Sequence, residues 1–463
     1  MMTQRWQGQR VLILGAARQG LALARYLAQR GAVVTLNDQR PVEHMEAARQ
    51  SLRDLPNIQW VLGGHPISLL DQTDLVCVSG GVPLTLPIVQ EAMRRSIPLS
   101  NDSQIFLEEA PCPVIGITGS AGKTTTTTLV GKIAERVMEP SHRAWVGGNI
   151  GTPLISYLNE MQPHDIAVME LSSFQLELMT RSPHIAAILN ITPNHLDRHG
   201  TFEAYQAAKA HIIQHQNATD FAILNREDEG AWALRDQVQG QLITFGFKRP
   251  PRGEPGTCLE GDRLCWWDGS GLQPLLTRED IRLRGDHNIA NVLATLAVVM
   301  AAGWDTTPAR EVIREFTGVP HRLELVRIWR GIAWYNDSIA TAPERTAAAI
   351  RAFDEPLVLL LGGRDKNLPW EELARLIHQR VDHVIVFGEA AEKILHALGP
   401  QQAGQRPYTL DHCTTLEEAV QTAARVAEPG DVVLLSPGCT SFDAFRDFEA
   451  RGEAFRQWVK QLP

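Results

Sequence analysis

A lysine and a threonine placed directly after a glycine-rich turn can hold a nucleoside triphosphate, and Gly119-Ser120-Ala121-Gly122-Lys123-Thr124 supplies that arrangement. The turn follows an apolar strand-like run at 114–117 and opens a helix from Lys123. Unpaired N–H groups and the positive end of the helix dipole then face one point, while glycines let the backbone approach a polyphosphate. Lys123 would reach the β and γ phosphates, and Thr124 would offer a hydroxyl to Mg²⁺. The pattern G-x-x-x-x-G-K-S/T asks for a glycine where this chain has Ile117; glycines recur instead at 116, 119 and 122.

Further candidates follow downstream. Asn149 sits in Gly147-Gly-Asn149-Ile-Gly151, and Glu170 ends a strand-like run before Leu171-Ser172-Ser173. A carboxylate at a strand end beside a phosphate loop is placed for Mg²⁺, and His195, in Asn194-His-Leu-Asp-Arg198, is a second ligand or a substrate contact. Lys209 lies in a helical context and, taken alone, reads as an exposed helix lysine. Upstream, Gly15-Ala-Ala-Arg-Gln-Gly20 approaches a dinucleotide fingerprint but has Ala17 at its second glycine. Asp38, followed by Arg40, stands where a carboxylate bonds a ribose hydroxyl, and Gly81 offers another close backbone approach. By themselves these residues fit a ligand-binding unit or an empty one equally.

The elements that must position these residues are strands alternating with helices. Residues 10–38 read as strand, turn, helix, strand, a β-α-β unit. A Pro-marked connection, Ala110-Pro-Cys-Pro113, precedes the phosphate loop. Strand-like runs at 165–171, 185–191 and 221–225 predict a mainly parallel central sheet, and 242–267 reads as an antiparallel appendage. After a helix at 288–302, residues 318–322 read as a linker to a third block with strands at 332–336, 356–362, 383–388 and 432–436. The expected architecture is three open α/β domains: Rossmann-like at 1–110, a central P-loop ATPase-like domain at 111–318 with a mainly parallel sheet, and Rossmann-like at 319–463. Ligands of such sheets sit outside the carboxyl ends of the strands, where the motifs fall.

The 463 residues suit about three domains, and 44% hydrophobic with 21% charged residues is a globular composition. A net charge of -9 argues against a general nucleic-acid or membrane-surface binder. Six scattered cysteines with no C-x-x-C pair suggest reduced thiols rather than a zinc site or a disulfide framework. With no signal-like start and no long apolar run, a cytoplasmic monomer is expected, without membrane or nucleic-acid partners.

Taken together the motifs resemble the Mur ligase family, and within it the enzymes that add D-glutamate to UDP-N-acetylmuramoyl-L-alanine. The resemblance spans the chain through Gly119 to Thr124, Glu170-Leu-Ser-Ser-Phe-Gln-Leu-Glu177, Asn194 to Arg198, His287-Asn288 with Asn291, His321-Arg322, Asn336-Asp337-Ser338, Leu435 to Asp443, and Phe448-Glu-Ala-Arg-Gly452. The missing first glycine fits it, because Ile-Thr-Gly-x-x-Gly-Lys-Thr is the form these ligases use.

The resemblance implies ATP and two Mg²⁺ ions as cofactors, and UDP-N-acetylmuramoyl-L-alanine and glutamate as substrates. It assigns Gly119, Ser120, Ala121, Gly122, Lys123, Thr124, Thr125, Asn288, Asn291, Arg322 and Asp337 to ATP, and Thr124, Glu170, His195 and Lys209 to metal. Lys209 would be carbamylated, which requires a neutral amine and so a lowered pKa. Lys123, Glu170, His195, Lys209 and Arg322 would carry catalysis. Arg18, Gln19, Asp38, Arg40 and Gly81 would surround uridine and its phosphates, Asn149 and His195 would touch the muramoyl substrate or its metal, Ser172 would bind substrate, and Thr341, Lys366, Ser441 and Phe448 would line the glutamate pocket. One departure stands out: Ile339 occupies a lysine position of many relatives, which leaves the glutamate carboxylates to Lys366, Ser441, backbone N–H groups or Arg364. Closure about 318–321 is expected to exclude water. The alternatives are an L-glutamate-accepting variant or a folylpolyglutamate-synthase-like ligase. From other classes come a non-catalytic nucleotide-binding module and an NAD(P)-dependent oxidoreductase.

Overall fold

The structure is a computed structural model describing residues 4–138, 140–400 and 408–463. The chain forms two compact units: Met1–Arg282 with Asp286–Glu315, and Leu283–Gly285 with Phe316–Pro463.

The first unit carries two sheets. Strands β1 (Arg10–Leu14), β2 (Val33–Asp38), β3 (Ile58–Leu62), β4 (Leu75–Val78) and β5 (Leu99–Ser100) form a parallel sheet in the order β3-β2-β1-β4-β5. The Val and Leu runs of β1 and β4 are buried from end to end after Arg10, as in a sheet covered on both faces. The helix Arg18–Gln29 leaves β1 so tightly that a Cβ on Gly20 would collide with the Gly15 carbonyl oxygen, which explains that glycine of the turn.

The second sheet contains β6 (Val114–Thr118), β7 (Ala144–Gly148), β8 (Ile166–Glu170), β9 (Ile185–Ile188), β10 (Phe221–Asn225), β11 (Gln241–Phe245), β12 (Gly256–Glu260), β13 (Arg263–Trp267) and β14 (Leu272–Thr277). Their order is β14-β13-β12-β11-β10-β9-β6-β8-β7. From β6 the chain moves to one side of the sheet, and from β9 to the other. The crevice between β6 and β9 is therefore a topological switch point, and the phosphate-loop sequence follows β6 there. One apolar cluster runs from Ile13 and Leu36 through Phe106 and Ile155 to Met169 and Leu224, joining both sheets into one unit.

The expectation of an antiparallel appendage at 242–267 needs correction. Strand β11 pairs in parallel with β10 and β12 continues in parallel from β11; only β13 runs antiparallel to its neighbours β12 and β14, and these strands extend the same sheet as far as Thr277. Alternation of side chains along a short strand is the same in either direction, so it cannot report the direction of pairing.

The second unit holds β15 (Glu324–Trp329), β16 (Ile332–Asn336), β17 (Leu357–Gly362), β18 (His383–Phe387), β19 (Thr409–Cys413) and β20 (Val432–Gly438), in the order β15-β16-β20-β17-β18-β19. All pairs are parallel except β15 with β16. Strands β15 and β19 had no counterpart in the sequence reading. Both are edge strands, β15 mostly half-buried and β19 mostly exposed, and lack the apolar run that marks β17 or β18.

Candidate active site

The phosphate loop is held from beneath by the segment after β9. Ser120 N donates to the Asn190 carbonyl (2.9 Å), Ala121 N to Asn190 Oδ1 (2.8 Å), and Asn190 Nδ2 returns a bond to Ala121 O (3.1 Å). Ser120 Oγ donates to Thr192 O (3.0 Å) and lies 2.9 Å from the Tyr205 hydroxyl. Gly122 is the N-cap of the helix Lys123–Val137 at φ +83, and a Cβ there would strike Asn291 Oδ1. Asn291, which adjoins the loop, donates in turn from Nδ2 to Asn288 Oδ1 (3.1 Å). The Lys123 ammonium curls onto Gly119 O (2.8 Å) and Ser120 O (3.4 Å). Thr124 and Thr125 occupy the helix's first turn, half-buried, where N–H groups lack intrahelical acceptors.

Beside the loop lie a carboxylate and an amine, both out of solvent. Glu170, 1% exposed at the end of β8, accepts from Asn149 Nδ2 (2.8 Å) on Oε1, while Oε2 is buried with no partner among the described residues. Lys209, also 1% exposed, donates to Thr118 Oγ1 (3.1 Å) and Gly119 O (3.0 Å), with its Nζ 4.9 Å from the Tyr205 ring centroid. Burial, reinforced by the charge of Lys123 and opposed by Glu170, pushes the Lys209 pKa well below that of a free lysine. The reading of an isolated exposed lysine is thus corrected. Its helix, Phe202–Gln214, buries Tyr205, Ala208, Lys209, Ile212 and Ile213 on one stripe, so helical periodicity already placed Lys209 on the apolar face. His195 caps the short helix Leu196–His199 at φ +53, its ring 5.1 Å from Phe174; partial burial lowers its pKa, against the pull of Asp197 and aided by the charges of Lys123 and Lys209.

The first sheet presents its glycine turn to this region. Arg18 Nη2 donates to Asn149 O (3.1 Å), and Arg198 Nη1 reaches Gly81 O (3.4 Å). Gln19, Phe174 and Gln175 all approach Gly80. Ser172 caps its helix by exchanging bonds with Gln175, its Oγ donating to Gln175 Oε1 (2.8 Å). Asp38 accepts from Ala16 N (2.8 Å) and from Arg40, whose guanidinium holds the Asp38 pKa down at about 2.

Within the second unit, Asp337 follows β16 and is buried, accepting from Ser436 Oγ (2.8 Å) and Leu323 N (3.2 Å). Burial raises its pKa to about 7, with Arg322 among the charges that oppose the rise. Lys366 Nζ lies 3.3 Å from Thr341 Oγ1, whereas Arg364, the offered alternative, is paired with Glu389 (3.0 Å). Ser441 is buried, and the Phe448 carbonyl accepts from Ser338 Oγ (2.8 Å). Ile339 is half-buried; its N–H donates to His321 O (3.1 Å). Asn190 and Arg451 escaped the sequence reading as site-builders; Arg451 was noted only within the Phe448 to Gly452 pattern.

Three sequence profiles match in chain order: "Mur ligase MurD-like, N-terminal domain" over 9–101, "Mur ligase middle domain" over 117–299, and "Mur ligase, glutamate ligase domain" over 321–439. A Symbiobacterium thermophilum protein named UDP-N-acetylmuramoylalanine-D-glutamate ligase is 39% identical over 454 residues, 98% of each chain. One of the same name from a Geobacillus species is 39% identical over 460 residues, 99% of this chain and 98% of that one. The chain belongs to the Mur ligase family. Among solved structures, the UDP-N-acetylmuramate-alanine ligase of Thermotoga maritima superposes with a TM-score of 0.55 at 19% identity, covering 97% of this chain and 99% of that one. A MurF structure from Acinetobacter baumannii gives 0.54 at 19% identity, covering 100% and 93%. Those two likenesses show the shared fold.

In this Mur ligase the buried, unpartnered Glu170 Oε2 fits a cation, since an ionised oxygen without a donor is costly to bury. Among the described residues no group of three or more His, Cys, Asp and Glu could hold a metal. An ion at Glu170 would therefore complete its shell largely with hydroxyl, water and phosphate oxygens, which is the habit of Mg²⁺.

Proposed function

We propose that this Mur ligase adds D-glutamate to UDP-N-acetylmuramoyl-L-alanine at the expense of ATP, a step in building peptidoglycan precursors. The observation that carries the reading is the phosphate loop with a buried, half-partnered carboxylate and a buried, weakly basic lysine against it. In that setting a γ-phosphate can meet a carboxylate. The three blocks 1–110, 111–318 and 319–463 are assigned to the UDP-substrate, to ATP and to glutamate.

An alanine carboxylate does not acylate an amine at neutral pH, so it first attacks the γ-phosphorus of ATP; the bond to the β–γ bridging oxygen breaks and ADP leaves. Lys123, released from Gly119 O and Ser120 O, neutralises charge on the transferring group, and Arg322 is assigned the same task. The neutral amine of glutamate then attacks the acyl phosphate carbon, loses a proton, and phosphate leaves from the tetrahedral intermediate. Mg²⁺ held through Glu170 and Thr124, with His195 as a further ligand, would supply positive charge to the phosphates. The lowered pKa of Lys209 supports its carbamylation, since only a neutral amine adds to carbon dioxide. Asn149 and His195 are assigned to the muramoyl substrate or its metal, and Ser172 to substrate binding. Thr341, Lys366, Ser441 and Phe448 are assigned to glutamate, with Ile339 leaving Lys366 as the side-chain cation beside Thr341.

The acyl phosphate is tested with a substrate carrying heavy oxygen in its alanine carboxylate. One labelled oxygen must appear in the released phosphate. Label confined to the peptide product would remove the acyl phosphate from the mechanism.

A further inference from the structure

Every acceptor position of Asp38 is taken in this structure. Its Oδ1 accepts from Arg40 N (3.0 Å) and Nε (2.9 Å), and its Oδ2 from Ala16 N (2.8 Å) and Arg40 Nη2 (2.8 Å). An ionised carboxylate offers about four acceptor sites, so a uridine N–H or O–H arriving at this sheet edge meets a saturated group.

A second acceptor stands close by. His65 follows the Gly63-Gly64 pair after β3, and its Nδ1 lies 2.5 Å from Oδ1 of Asn37, a fully buried residue of β2 next to Asp38. The Asn37 amide is oriented by its NH₂ group, which donates to Val61 O (2.8 Å) and Gly64 O (2.7 Å). Oxygen is therefore the atom facing the imidazole, and His65 must donate from Nδ1. In the neutral ring Nε2 then bears the lone pair, and it has no partner among the described residues. Burial lowers the His65 pKa against the opposing charge of Asp38, which keeps the ring neutral at neutral pH. His65 is only half-buried.

We propose that His65 Nε2 accepts a hydrogen bond from the uridine of the substrate, making His65 a specificity residue for the nucleotide end. An acceptor here matches the imide N–H of uracil and mismatches cytosine, whose ring nitrogen at that position is itself an acceptor. A ribose hydroxyl is the other donor that shares this chemistry. The proposal rests on the function given above.

Steady-state kinetics of wild type, His65→Phe and His65→Gln test it. His65→Phe raises KM for the UDP-substrate about tenfold, the scale of one hydrogen bond, with kcat and the KM values for ATP and glutamate unchanged. His65→Gln, which keeps an acceptor, recovers most of the loss. The wild type loses a similar factor on an N3-methyluracil analogue and His65→Phe loses nothing more; if a 2′-deoxyribose analogue behaves that way instead, the donor is the ribose. Wild-type turnover with an unchanged KM in His65→Phe overturns this inference alone. No wild-type turnover of the UDP-substrate overturns the function on which it rests.

Discussion

Lys209 in the first unit and Arg451 in the second are equally buried, each 1% exposed, yet the two sites treat their cations in opposite ways. Lys209 has two neutral oxygens, from Thr118 and Gly119, and faces the charge of Lys123. Arg451 is clasped by Ser338 Oγ (2.9 Å), Ser338 O (2.8 Å) and Cys439 O (3.1 Å), with Gly362 O at 3.5 Å. Burial lowers its pKa only to about 10, which leaves it charged at neutral pH. An amine can shed its proton and become a nucleophile, whereas a guanidinium keeps its charge and ties backbone together. The same burial thus loosens the proton of one side chain and leaves the other a charged fastener.

The comparison is broken most decisively at Lys209. Lys209→Met is expected to lower phosphate release about a thousandfold. Its thermal stability should hold or rise, because an apolar chain replaces a costly buried amine. With isotope-labelled bicarbonate the wild type should show a carbamate carbon resonance that Lys209→Met lacks. Full activity in the variant would strip Lys209 of its role.

Arg451→Met should do the reverse. Three carbonyls and a hydroxyl lose their donor, and the second unit should lose about 3 kcal/mol of stability, read from urea unfolding. An unchanged midpoint would mean that Arg451 is not the fastener described. The smallest effect is expected at Asp337, whose pKa is raised by burial to about 7. Between its ordinary value and 7 the folded state binds a proton that the unfolded state does not. Stability therefore falls as pH rises through that window. Asp337→Asn should flatten this slope without changing it above neutrality, and an identical slope in both proteins would refute the raised pKa.

The sequence made the local features readable. Strand, glycine turn, Lys123 and helix are contiguous, and Glu170 could be placed because a strand ends there. The burial of Lys209 was encoded too, in the spacing of Tyr205, Ala208, Ile212 and Ile213, but a lysine on an apolar stripe is easily assigned to the surface. The brace from Asn190, the saturation of Asp38 and the tautomer of His65 depend on residues brought together from separate strands and loops, which no local pattern reports. Strand direction at β11 and the edge strands β15 and β19 were lost for a related reason: pairing partners, rather than the strand's own residues, define them.

The ligation itself provides the most direct test, with ATP, UDP-N-acetylmuramoyl-L-alanine and each glutamate enantiomer in separate reactions. Phosphate and the new peptide should form together with D-glutamate and not with L-glutamate. Release with L-glutamate in preference, or with neither enantiomer, would contradict the assignment.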